Sequence, residues 1–251
     1  RPEMTETAAP TVLQRDHRSA RGTIAYLSHK PDRWLQERGR EYFHIDVHSD
    51  GKRTITAHCE IDDRPSVMRD ITYSLDEHWL PMDCFVRITV GDRFMGSGWF
   101  KFHPDHTECE AFTAPEGRIS QRMEHRHPPL RTFQNHAIAC DAWHLRLYDR
   151  SQGPGIQGID EFLLSSPDHR GATGPMLYRI GVHIEYVGEE RVTVRAGTFD
   201  ALHFRYVSAP GLPQEHPPYD VWCTDDGEFL FLKGQVGGYM LTYYELISLD
   251  R

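Results

Sequence analysis

Arg191-Val-Thr-Val-Arg-Ala-Gly-Thr-Phe-Asp-Ala-Leu-His-Phe-Arg-Tyr-Val207 is the stretch whose reading decides the fold. Apolar and polar residues alternate on both sides of Ala196-Gly197, and period two is the signature of a β-strand, whose side chains fall on opposite faces. Ala196-Gly197 supplies a tight turn, Phe199 is expected in the core and Ala201 at a close-packed position. The pattern continues through Tyr219-Asp-Val-Trp-Cys-Thr224, Phe229-Leu-Phe-Leu-Lys233 and Met240-Leu-Thr-Tyr-Tyr-Glu-Leu246. Residues 186–246 therefore read as an antiparallel meander.

Working upstream, the same grammar recurs. Glu41 to His48 puts Phe43, Ile45 and Val47 on one face and Tyr42, His44, Asp46 and His48 on the other; Asp50-Gly51 turns the chain, and Thr54 to Ile61 returns. Further strands are expected at 22–27, 67–75, 83–90, 94–102, 108–113 and 118–124, joined by turns rich in Gly, Pro and Asp. Pro31 to Arg38 reads as a helical turn or loop carrying Trp34 and Leu35 inward, and Cys140 to Asp149 as a short helix with Asp141 as its cap. Residues 151–175, rich in Gly, Pro and Ser, read as a lid or site loop anchored by Phe162, Leu163 and Leu164 rather than as a linker between domains. The expected fold is mainly β, a single large antiparallel β-barrel or strongly curved sheet with one or two short helices. It spans residues 21–251, after a flexible N-terminal arm at 1–20.

At Val192-Thr-Val-Arg-Ala-Gly-Thr-Phe-Asp-Ala-Leu-His203, followed by the strand bearing Trp222, the chain resembles a broad set of uncharacterised bacterial β-proteins with a Val-x-Val-x-Ala-Gly-Thr-Phe-x-Ala segment. The resemblance covers the C-terminal part only. It implies a lipocalin-like or open β-barrel and transfers no catalytic residue.

Composition narrows the function classes. The formal net charge is -9 and no basic cluster stands apart from acidic neighbours, so nucleic acid is not an expected partner. No apolar run approaches the roughly 20 residues that span a bilayer, and no leader pattern opens the chain, so a cytoplasmic protein without membrane contact is expected. Cys59, Cys84, Cys109, Cys140 and Cys223 lie far apart without a CxxC pair and read as buried free thiols. No glycine pattern for a dinucleotide or a phosphate opens a helix, so the chemistry is expected to be cofactor-independent.

Sixteen histidines invite acid–base and metal readings. His103, His106, His125, His127 and His216 sit beside Pro or a charge and read as surface or turn residues. His44, Asp46 and His48, with His58 and Glu60 across the hairpin, have the i, i+2 spacing of a metal wall, which is also the pattern of a solvated face; no metal is assigned there. Asp168-His169-Arg170 in the Gly-rich loop suits a general base next to a cation that holds an anionic substrate. Ser165 and Ser166 lack the Gly-x-Ser-x-Gly elbow of a serine hydrolase. His203 and Arg205 share one strand face, Asp220 and Trp222 another. If these faces line the interior, they form either a buried ion pair or a site.

The expected catalytic set is thus His169, Asp168, Arg205, His203 and Asp220, with Arg170, Trp222, Tyr243 and Trp99 binding substrate. Together with the abundance of aromatic residues, this points to a cofactor-independent lyase (decarboxylation or elimination) or isomerase acting on an aromatic or polycyclic small molecule inside the barrel. A noncatalytic carrier or sensor of an apolar ligand, and a metal enzyme built on the strand histidines, are the alternatives. A homodimer stays open.

Overall fold

The computed structural model describes residues 13–251. Its strands are β1 (Arg18–Ser28), β2 (Glu37–Val47), β3 (Arg53–Ile61), β4 (Val67–Leu75), β5 (Pro81–Val90), β6 (Arg93–Phe102), β7 (His106–Thr113), β8 (Gly117–Glu124), β9 (Phe133–Gln134), β10 (Gly155–Leu164), β11 (Tyr178–Val194), β12 (Gly197–Ser208), β13 (Tyr219–Thr224), β14 (Phe231–Val236) and β15 (Thr242–Asp250), with one short helix, α1 (Ile138–Asp141). All belong to one sheet of order β8-β7-β6-β5-β4-β3-β2-β1-β15-β14-β13-β12-β11-β10-β9. Neighbours are antiparallel except β9 and β10, which are parallel. β1 lies between β2 and β15 and so joins the N-terminal and C-terminal meanders into one surface.

Alternation is the cause of the curl. In β3 and β4, Ile55, Ala57, Cys59, Val67, Ile71, Tyr73 and Leu75 are buried while their neighbours face outward. An apolar concave face and a polar convex face drive the sheet around its own core. Among the described residues no backbone ladder closes the roll. Instead, Leu177 N donates to Gln121 Oε1 at 2.7 Å, Arg126 N donates to Glu161 Oε2 at 2.7 Å, and Arg179 donates to the carbonyl of Glu124, which brings the β8 edge against β10 and β11. Close approach there needs glycine: a Cβ on Gly98 would stand 2.8 Å from the Cβ atoms of Ala111 and Pro175.

The expected curved, mainly β sheet is what the chain forms, and several local expectations change. The segment between β8 and β10 threads into the roll as a plug, with Leu130, Phe133, Ala137, Cys140, Trp143 and Leu145 buried. Its helix is broken into α1 and a 3-10 segment at Trp143–Leu147. Asp141 is the last residue of α1 and not its cap. The side chain that takes the first helical N–H groups is Glu41 of β2, which accepts Ile138 N at Oε1 (2.7 Å) and Ala139 N at Oε2 (2.8 Å). Tyr26 Oη at 2.9 Å and Cys59 Sγ at 3.1 Å donate to Glu41 Oε1 as well, so this buried carboxylate is fully engaged.

Trp34 and Leu35 point out, 60% and 50% exposed, because the 3-10 turn at Pro31–Arg33 leaves Trp34 stacked on His29 at the surface. Gly155–Leu164 of the expected loop is a strand, and the loop proper is confined to 165–177. Arg18 to Ala20 of the expected arm belong to β1; residues 1–12 lie outside the described residues. Phe199 is only partly buried, beside Gly197, whose φ of +144° suits glycine, and Ala201 is buried as expected. All five cysteines are free and buried. Among the described residues no helix is long and apolar enough to cross a membrane.

Candidate functional site

Two adjoining cavities lie where the plug, the 165–177 loop and the C-terminal meander meet. The first measures about 130 Å³. β10 and β11 contribute Phe162, Leu164, Ile180 and Val182 to its wall; β12, β13 and β15 contribute Tyr206, Tyr219 and Tyr244. Tyr206 and Tyr219 are register partners, which puts both rings on the concave face.

Asp141 is the acid in this wall. It is 5% exposed, Gln134 Nε2 donates to its Oδ1 at 2.8 Å, Tyr219 Oη donates to its Oδ2 at 3.0 Å, and Tyr206 Oη donates to its backbone carbonyl at 2.5 Å. Burial pushes its carboxyl up to about 7, with Glu41 adding to the rise and the Gln134 and Tyr219 bonds opposing it. Burial raises the Tyr206 and Tyr219 hydroxyls well above their ordinary range, so they act as donors.

His136 borders both cavities. Its Nε2 lies 3.0 Å from the carbonyl of Ser166, which assigns the proton to Nε2 and leaves a lone pair on Nδ1. Burial, helped by Arg69, pulls its pKa down to about 3, and the ring is neutral. His169 also borders both cavities; its Nδ1 is 3.4 Å from Asp168 Oδ1 and makes no hydrogen bond. The His169 imidazole, assisted by the N–H of Ala172, holds the Asp168 carboxyl down at about 2 against its partial burial.

The second cavity, about 230 Å³, is lined by Lys30, Arg38, Arg69 and Arg170 among others. Arg170 donates to the carbonyls of Asp63 (2.8 Å) and Pro65 (3.0 Å), tying the loop to the β3–β4 turn. Arg69 donates to the carbonyls of His136 (3.0 Å) and Arg170 (2.6 Å), and so fixes plug and loop together.

Of the residues expected from sequence, His169 and Arg170 line the cavities and Asp168 stands behind His169. His203, Arg205 and Asp220 do converge, with His203 Nε2 2.6 Å and Arg205 Nη2 3.0 Å from Asp220 Oδ1, but on the opposite face of the sheet. Since Phe204, Tyr206, Tyr219 and Val221 face inward, their neighbours must face outward. Trp222 belongs to that outer cluster, stacked 4.0 Å from His203 with Lys233 4.3 Å from its ring. Tyr243 stacks on His29 on the outer face, and Trp99 is 42% exposed there. These six residues are therefore removed from the interior set.

The histidines also redistribute. His44 bonds Asp46 at 2.9 Å, and His58 bridges Asp70 (2.6 Å) and Glu60 (3.0 Å), so the strand histidines form outer-face pairs rather than a converging ligand set. Among the described residues, the groups close enough to share an ion are His103, His106 and Glu108, and Asp105, His106 and Glu124, at a turn expected to be ordinary surface. His125 is buried, 2.7 Å from Thr107, and His216 lines the first cavity. Sequence reasoning missed Gln134, His136 and Asp141 as site residues. Sequence offered little signal for them, because Thr132, Asn135 and His144 of the same plug are polar and buried too.

No family model and no curated protein matches the chain. The solved structures include a β-barrel-like protein of the domain of unknown function DUF1849 from Brucella abortus, with a TM-score of 0.58, 9% identity, and 93% of this chain and 96% of that one covered. At that identity the likeness concerns the fold alone. A protein from Bacteroides fragilis described as exported, with a YmcC-like fold, and one from Parabacteroides distasonis described as a lipoprotein each align at a TM-score of 0.34 and 8% identity, over 92% of this chain and 95% of theirs.

Proposed function

We propose that the chain is a cofactor-independent enzyme that moves a proton on a hydrophobic, ring-bearing small molecule held in the first cavity, as an isomerase or an eliminating lyase. The observation that carries this reading is Asp141, a buried carboxyl in the cavity wall with a pKa near 7. A general base poised near the working pH both accepts a proton and returns it. Neutral His136, with its free Nδ1, is the second proton-handling group. A cavity of about 130 Å³ is close to the roughly 150 Å³ that accepts benzene in an engineered core, so one ring fits and a polycyclic body does not. The C-terminal resemblance to uncharacterised bacterial β-proteins, and a cytoplasmic location suited to five free thiols, belong to the same proposal.

A carrier or sensor is the second reading. It is favoured by the fact that both Asp141 oxygens already accept bonds from protein groups, which is how a purely structural carboxyl is satisfied. The deciding experiment incubates the protein in D2O with a panel of single-ring unsaturated acids and enolisable ketones and follows deuterium incorporation by NMR. Incorporation that Asp141→Asn lowers by about 10² to 10⁴ supports the enzyme. Ligands that bind wild-type protein without exchanging a proton establish the carrier.

A further inference from the structure

The second cavity has a one-sided charge. Lys30, Arg38, Arg69 and Arg170 line it, and among the described residues no carboxylate does. Arg38 is paired behind the wall with Asp63 and Thr242. The other three have no such partner: among the described residues Lys30 Nζ makes no ion pair, Arg170 binds only backbone carbonyls, and no carboxylate pairs with Arg69. Arg69 is the telling member, because it is 2% exposed and its Nε is a buried donor without an acceptor. Glu41, whose charge also acts on the buried surroundings of Arg69, has its oxygens engaged by Ile138, Ala139, Tyr26 and Cys59. A buried guanidinium with no carboxylate in direct contact is costly, and an anion in the adjoining space lowers that cost.

We infer that the second cavity receives the carboxylate of the ligand while its ring occupies the first, so that the substrate class is single-ring monocarboxylic acids. The two cavities share His136, Ile138, His169, Met240 and Tyr244, so one small amphiphile reaches both. This inference rests on the proposed ring-binding reading and sharpens its chemistry. A cationic chamber stabilises charge on the carboxylate, whereas decarboxylation moves that charge onto carbon, so the chamber works against decarboxylation. It favours a proton shift remote from the carboxylate. On such an acid with a C=C conjugated to the ring, the Asp141 carboxylate takes the allylic proton to become a carboxylic acid; the C–H pair forms the new C=C and the old π pair delocalises onto the far carbon and the ring. The Asp141 carboxylic acid exchanges its proton with water and then returns one to the far carbon, so one proton is lost and one gained and solvent deuterium enters the product.

The test measures binding by ligand-observed NMR with phenylacetate, 3-phenylpropanoate and 4-phenylbutanoate, their neutral amides, and toluene, on wild-type protein and Lys30→Met. Lys30 is chosen because its ammonium holds no structural bond. At least one acid is expected to bind wild type about tenfold or more tightly than its amide, in line with one charge-assisted hydrogen bond. Lys30→Met is expected to reduce that preference several-fold and leave toluene binding unchanged. Amide and acid binding equally while toluene binds overturns the anion inference alone. Failure of toluene and of every ring compound to bind overturns the ring-binding reading with it.

Discussion

Glu41 Oε2 accepts the backbone N–H of Ala139 at 2.8 Å across 98 positions of sequence. A β-strand carboxylate thus starts the helix whose last residue, Asp141, forms the acidic wall of the first cavity. Removing the carboxylate leaves two helical N–H groups and the Tyr26 hydroxyl without an acceptor. Glu41→Ala is expected to cost about 3–5 kcal/mol, read as a lowered urea midpoint. Glu41→Gln keeps one acceptor oxygen and costs less. A Glu41→Ala protein as stable as wild type rules out this account of α1.

Asp141 and His136 predict opposite pH dependences that mask each other. The Asp141 pKa rises from 3.8 to about 7 on folding, so its contribution to stability is full below pH 3.8 and is lost as pH rises towards 7. The His136 pKa falls from 6.5 to about 3, so its contribution is full above pH 6.5 and is lost as pH falls towards 3. Between pH 4 and 6.5 each amounts to about 1.4 kcal/mol per pH unit, with opposite signs. Asp141→Asn is therefore expected to tilt the stability profile, which then rises with pH more steeply than in wild type. Urea titrations at half-unit steps across this window detect the tilt, and parallel profiles contradict it.

Gly171 has φ of +62°, and a Cβ there would meet His136 Cγ at 2.8 Å and Arg69 Nη2 at 2.9 Å. Gly171→Ala therefore combines left-handed strain with overpacking against the two residues that join plug to loop. The expected loss is about 1–3 kcal/mol, together with weakened ring binding. A chemical-denaturation curve and a toluene titration read the two effects separately.

His203, Arg205 and Asp220 form an ion network on the face away from the cavities. Alanine at Arg205, whose side chain is 35% exposed, is expected to change stability by no more than about 1 kcal/mol, alanine at the more covered His203, stacked on Trp222, to cost more, and both to leave cavity binding untouched. Loss of ring binding in either variant would return them to the interior set.

How much of this was legible follows from the range of the interactions concerned. The strands of both meanders, the Ala196-Gly197 turn and the free thiols depend on residues within a few positions of one another, and the sequence states them directly. Asp168-His169-Arg170 was found because a charged triplet in a Gly-rich loop is itself a local signal. Asp141 was misread as a cap because the group that caps α1 comes from β2, and no local pattern reports an acceptor that distant.

By itself, the sequence determined that the chain is a run of alternating strands and which side chains share a face. Period two says that His203 and Arg205 lie together and that Phe204 and Tyr206 lie together. It does not say which pair meets the interior. That was decided only in the tertiary structure, where the plug fills the roll and Phe204, Tyr206, Tyr219 and Val221 face inward, which leaves the ion network on the outer face. The cavities have the same origin: Lys30, Arg69, the plug's His136 and Asp141, and Arg170 come from four segments, and only the curvature of one sheet brings them together.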